Sequence, residues 1–177
     1  MSDRIMERDA GDPEINPQVV ANSYAQYLSV AFAGMKGDSM DDNVDTFACA
    51  TNPIGFGLVC SRTVAGALTI AQGGAIPIGV SLHDHTIASR GGYIQYDAVS
   101  VMNRGKVWCQ VGTDTANIVD GAYVAYETAT GKVLFTPTGN TVLPKAIFRS
   151  GVVAVYDITY TTTTNIALVE LHYGLSV

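Results

Sequence analysis

An all-β fold is predicted for this chain: a small antiparallel β-barrel or β-sandwich with an extended acidic N-terminal arm. Three observations predict it. β-branched and aromatic residues crowd into short runs separated by Gly, Pro and Asn, which is the punctuation of strands and turns. The runs follow one another closely, with no internal repeat of fixed period, and this favours a sandwich or barrel over an α/β fold. Charge is segregated. Residues 1–45 hold nine acids and three bases, the whole net charge of −6, whereas residues 46–177 hold seven of each. An acidic N-terminal arm and loop (1–45) is therefore expected ahead of a neutral β-barrel or sandwich body (46–177).

The elements are expected in this order. Residues 17–32 are the best helix candidate, as one or two turns or as extended arm. "NPIGFGLVC" is a short apolar run after a Pro, and "GALTIAQGGAIPIGVSL" gives two short strands around Gly73-Gly74. The stretch "YDAVSVMNRGKVWCQV" (96–111) reads as a hairpin over a three-residue loop, Asn103-Arg104-Gly105, with Gly105 left-handed. That loop opposes Met102 to Lys106, Val101 to Val107 and Val99 to Cys109. Val99, Val101, Val107 and Cys109 then form a core face, and Ala98, Ser100, Met102, Lys106, Trp108 and Gln110 form the other. "GAYVAYETATGKVLFTP" is a second hairpin turning over 128–131, and "KAIFRSG", "VVAVYDITYTTTT" and "NIALVELHYG" supply the last strands.

Composition narrows the function. The chain has 177 residues, enough for one domain with a real core. It is 47% hydrophobic and only 15% charged, so its surface is unusually neutral or is covered by other chains. An acidic chain without a basic patch is a poor nucleic-acid binder. No apolar run approaches the roughly 20 residues of a membrane span, and the charged start lacks the apolar centre of a secretion signal. Cys49, Cys60 and Cys109 are odd in number and lack CxxC spacing, and are expected as free thiols.

Motifs for chemistry are few. His83 and His85 in "SLHDHT" stand two apart, on one face of a strand if that stretch is extended, but a zinc site needs further ligands and only His172 remains among the histidines. Surface histidines near a strand end are the plainer account. "GGAIPIG" and "RGGY" are glycine turns without the lysine and helix of a phosphate loop, and no GxSxG occurs. Asp38, Asp42 and Asp45 in "GDSMDDNVD" are oxygen donors of the kind calcium takes, but the segment lacks the glycine and terminal glutamate of an EF-hand loop. No catalytic residue, metal ligand or cofactor is assigned. The lone Trp108, flanked by polar residues on its face, lies either under a loop of its own chain or in a subunit contact, where Trp is enriched.

The order of the pieces carries a resemblance. "AFAGMKGDSMDDNVDTFACATNPIGFGLVC" is followed by "IPIGVSLHDHT", then by "YIQYDAVSVMNRGKVWCQV", "IVDGAYVAYETATGKV", "KAIFRSG" and "NIALVEL". This succession, over about residues 31–177, resembles the head decoration (structural cement) proteins of tailed bacteriophages. Its most specific part is the VSV-x-x-x-G-x-V-W stretch leading into DG-x-x-V.

The resemblance implies a non-enzymatic virion protein on the outer surface of an icosahedral head, assembled in the host cytoplasm. It implies a homotrimer that bridges neighbouring capsomers, with the major capsid protein as partner and neither nucleic acid nor membrane. Trp108, Met102 and Lys106 are the candidate subunit or capsid contacts. Arg4, Glu7, Arg8, Asp9, Asp12 and Glu14 mark the candidate attachment arm. A phage tail-tube or neck subunit, a carbohydrate-binding sandwich and a small metal-dependent enzyme are the alternatives. On this reading Trp108→Ala weakens assembly more than folding, and Val101→Ala does the reverse.

Overall fold

The computed structural model describes residues 31–38, 41–50, 52–113, 115–135, 141–157 and 162–172. Among the described residues twelve strands run in order: β1 (Asn43–Cys49), β2 (Ile54–Gly55), β3 (Val59–Arg62), β4 (Thr69–Gln72), β5 (Pro77–Ser81), β6 (Gly92–Tyr93), β7 (Ala98–Gln110), β8 (Tyr123–Tyr126), β9 (Val133–Leu134), β10 (Thr141–Phe148), β11 (Val153–Asp157) and β12 (Thr162–Leu171). Among the described residues the helical element is a single 3-10 turn, Ala88–Arg90. The all-β expectation holds. Strands β1, β4, β3, β5 and β7 pair in that order, and β1 pairs back onto β7, closing a five-stranded barrel. From β7 the sheet continues through β12, β10, β8 and β9, with β11 on β12.

The described residues form more than one core. Cys49, Ile54, Cys60, Ile70, Val99 and Val101, from β1, β2, β3, β4 and the first half of β7, fill one. Val80, Met102, Val107, Cys109, Val124, Tyr126, Phe148 and Val169 fill the larger second one. The close approach of strands requires glycine at position 79, where a Cβ would meet the Met102 carbonyl oxygen at 2.2 Å.

The hairpin expected over 96–111 does not form. β7 is one strand of 13 residues through Asn103-Arg104-Gly105. Its first half pairs with β1 and β5, and its second half pairs with β12, from Leu171↔Gly105 to Ile166↔Gln110. Where a turn was expected there is a β-bulge: Asn43 opposes Arg104 and Val44 opposes Met102, so β7 carries one extra residue. Gly105, at φ 113°, continues the distortion. The extra residue inverts the alternation. Met102 before it and Val107 and Cys109 after it therefore enter the same core, although unbroken alternation would put Met102 and Val107 on opposite faces. An Asn-Arg-Gly sequence suits a tight loop or a bulge equally. Distant strands satisfied both halves of β7 and decided for the bulge.

The other strand expectations fare better. β8 and β9 form the expected hairpin, Ala125↔Leu134 and Tyr126↔Val133. β4 and β5 flank Gly73-Gly74 but both pair with β3 rather than with each other. The body boundary expected at residue 46 falls inside β1, and the compact unit runs from Ala31 to Val177. Residues 17–30 of the helix candidate lie outside the described residues.

Candidate interaction surfaces

Residues 34–37 run antiparallel to the second half of β7. The Gly34 amide donates to the Trp108 carbonyl (2.7 Å), the Trp108 amide to Met35 (2.9 Å) and the Gly37 amide to Lys106 (2.7 Å). Trp108, Lys106 and Gln110 share the face opposite Val107 and Cys109, as the sequence suggests for this half of the strand. Trp108 is nevertheless only 9% exposed. It clusters with Ala31, Val155 and Ile166, bordered by Ala33, Met35, Val153 and Leu168. Its own chain therefore buries it, the plainer of the two accounts. Met102 is fully buried in the second core and offers no surface within the subunit. Of the three candidate contacts only Lys106 remains partly exposed.

The acidic loop before β1 lies beside the bulge, and each of its described carboxylates meets a donor. Lys106 Nζ is 2.8 Å from Asp38, Arg104 bonds Asp41 and Lys36 bonds Asp42. Asn103 Nδ2 donates to Asp45 at 2.6 Å. The hydrogen bond and charge of Asp38 hold the Lys106 ammonium above the usual lysine range. Asp38, Asp42 and Asp45 are thus spread among separate basic and amide partners rather than converging, and the described residues contain no metal-binding cluster. Across the sheet Glu170 opposes Lys106 and bonds Arg149, whose guanidinium also approaches Asp120 at 3.6 Å. His172 Nε2 lies 3.6 Å from Glu170.

His83 and His85 lie just past the end of β5, in irregular chain rather than on a strand face. Their rings are 4.8 Å apart, and His83 packs between Phe32 (4.5 Å) and Phe56 (4.6 Å). Between them Asp84 accepts from the Thr86 amide (2.8 Å) and hydroxyl (2.7 Å), which hold its carboxyl below the usual range. This is an aromatic packing cluster beside a capped turn. All three cysteines are free and buried. Burial pushes up every thiol, Cys60 to about 12, and at Cys49 the Asp97 carboxylate adds to the effect.

The exposed large apolar side chains fall in two groups that the sequence reading missed. Val64 and Leu68, on the β3–β4 turn, and Ile94 and Tyr96, before β7, form the first. The two loops flank the end of β1, since the Ala48 amide bonds Leu68 (3.0 Å) and the Cys49 amide bonds Asp97 (2.9 Å). Val119, Tyr123 and Val142 form the second, around β8 and β10, with the Tyr123 ring 4.9 Å from Phe135. Val64, Leu68, Ile94, Tyr96 and Val119 lie outside strands, where single apolar residues carry no periodic signal, and Tyr123 and Val142 stand near the strand starts. Arg4, Glu7, Arg8, Asp9, Asp12 and Glu14, the attachment-arm candidates, lie outside the described residues.

Among the described residues, then, the thiols are buried, many ionic groups are paired, and the exposed large apolar side chains lie on loops and on β8 and β10. The fold is all-β, with a closed five-stranded barrel. The profile of the structural cement protein family (E217 gp24/Pam3 gp6) matches residues 20–172, and the chain belongs to that family. It is a bacteriophage structural cement protein that decorates the capsid, located in the virion on the head surface. A chain from the capsid of Myoviridae phage XM1 shares its fold, with a TM-score of 0.62 at 20% identity, covering 81% of this chain and 91% of that one. No curated protein sequence matches.

Proposed function

We propose that the chain is a non-enzymatic clamp on the outer surface of the phage head. It works as a homotrimer, contacts the major capsid protein and bridges neighbouring capsomers, without nucleic acid or membrane as partner. The observation that carries this reading is the family match over residues 20–172, which spans both the closed barrel and the strands that continue its sheet beyond β7. Composition supports it. Residues 46–177 carry no net charge, so they lack the basic surface that phosphate neutralisation needs. A chain with 15% charged residues has apolar surface to hide against other protein. The segment bearing Arg4, Glu7, Arg8, Asp9, Asp12 and Glu14 strengthens attachment, a role supported by its segregated charge.

The test uses heads assembled without this protein. Purified chain added back is expected to give density on the outer head surface at three-fold positions and to raise the temperature at which heads rupture. Density on the tail or neck, or unchanged rupture, would overturn the proposal. Removing residues 1–30 should reduce occupancy while leaving the body's Tm unchanged. Loss of folding would show that this segment belongs to the core.

A further inference from the structure

The loop before β7 is built against its own sequence. The Asp97 amide donates to the Ile94 carbonyl at 3.0 Å, closing a four-residue turn with Gln95 and Tyr96 in the centre. Asp97 braces it further: its carboxylate accepts from the Ile94 amide (2.9 Å) and from Arg90 (3.1 Å). Tyr96, the third residue of that turn, has φ 71°. A positive φ at this position is the place of Gly or Asn, and a bulky residue there is strained. The turn's backbone bonds stay inside the subunit, and a glycine would make them equally well, whereas the tyrosine ring is 84% exposed and adds no packing there. Strain held at a braced, exposed loop points to work done outside the subunit.

Tyr96 does not stand alone. Its amide bonds the Cys49 carbonyl (3.1 Å), and on the other side of the same β1 end stands Leu68, 75% exposed, with Val64 and Ile94 beside them. The four side chains expose on the order of 500 Å² of mostly apolar surface, more than half of the ~800 Å² that one partner contributes to a specific protein interface. The nearby charges are already engaged. Arg90 is paired with Asp97, while Arg62 donates to the Ala67 carbonyl and lies over the Phe47 ring. A surface of this kind fits protein, not phosphate.

We infer that this barrel end, Tyr96 and Leu68 with Val64 and Ile94, is the foot by which the protein seats on the capsid shell protein. The inference rests on the cement reading and adds the surface and its chemistry: an apolar patch on the shell protein that accepts a tyrosine ring and a leucine. The second exposed group is less suited, since its Tyr123 is already packed on Phe135.

The test is binding of the full chain to purified heads that lack it. Leu68→Asp and Tyr96→Asp should each weaken binding by at least roughly tenfold, as interface anchors do. Tyr96→Gly is the sharper variant. It relieves the positive φ, so its Tm should equal or exceed the parent's, yet it should lose binding to a similar degree. Val142→Asp, in the second group, should bind like the parent. If the parent binds and the Tyr96 and Leu68 variants bind equally well, the foot is refuted while the cement reading stands. Variants that change sedimentation of the free protein but keep shell binding would show a self-association surface instead and also overturn it. A parent that does not bind heads at all would sink the cement reading, and this inference with it.

Discussion

Replacing Trp108 by alanine tests which of its two accounts holds, burial under its own chain or a subunit contact. The indole is about nine-tenths buried, in a cluster with Ala31, Val155 and Ile166. Burial of a side chain that size removes roughly 200 Å² from water, which at about 25 cal/mol per Å² is on the order of 5 kcal/mol. Trp truncations in cores span about 3–5 kcal/mol, so a loss of roughly 4 kcal/mol is expected. For a body of this size that lowers Tm by on the order of 10 °C. Val101→Ala removes a smaller side chain from the barrel core and should cost about 2 kcal/mol. The expected order, Trp108 worse than Val101, reverses the one drawn from the hairpin register. Because Trp108 is the chain's single Trp, fluorescence reports on it alone. The isolated subunit should emit at the blue end of the tryptophan range and resist acrylamide quenching, and both properties should be lost in urea. A solvent-like emission from the folded subunit, or a Trp108→Ala variant with unchanged Tm, would refute the burial argument.

Other expectations are checked more simply. Gly79→Ala should destabilise by roughly 3 kcal/mol or more in urea titration, because the new Cβ meets the backbone oxygen of Met102 at 2.2 Å; a tolerated alanine would show that β5 and β7 are not so close. The three thiols should be unreactive toward a disulfide reagent at pH 8 in the folded chain and all titrate after denaturation, since burial raises their pKa values; one fast native thiol would contradict this. Asp84 has a folded pKa below its unfolded value near 3.9, so its contribution is present above that value and is lost as pH falls through the folded pKa. Thr86→Ala should therefore raise the Asp84 pKa in carboxyl NMR titrations, and an unchanged titration would mean that the Thr86 hydroxyl does not hold the carboxylate.

The sequence by itself determined the strands, because β-strand alternation and turn chemistry are local. The Tyr-Val-Ala-Tyr and Val-Leu runs around 128–131 pair as their spacing implies, and the face of Trp108, Lys106 and Gln110 follows from period-two alternation within one half of a strand. It also determined the class, through an ordered set of short motifs that no single strand would have revealed. Only the tertiary structure decided what Asn103-Arg104-Gly105 does. A left-handed glycine can close a hairpin or carry a bulge, and the choice depends on β1, β5 and β12, whose paired residues all lie far from their β7 partners in sequence, the nearest being Ser81 with Val101. The same holds for Trp108, which a polar-flanked strand leaves apparently wet until residues 34–37 pair alongside it and the cluster around Ala31 and Val155 closes. Alternation says which residues share a face. What covers that face is fixed by contacts between distant parts of the chain, and these leave no period in the sequence.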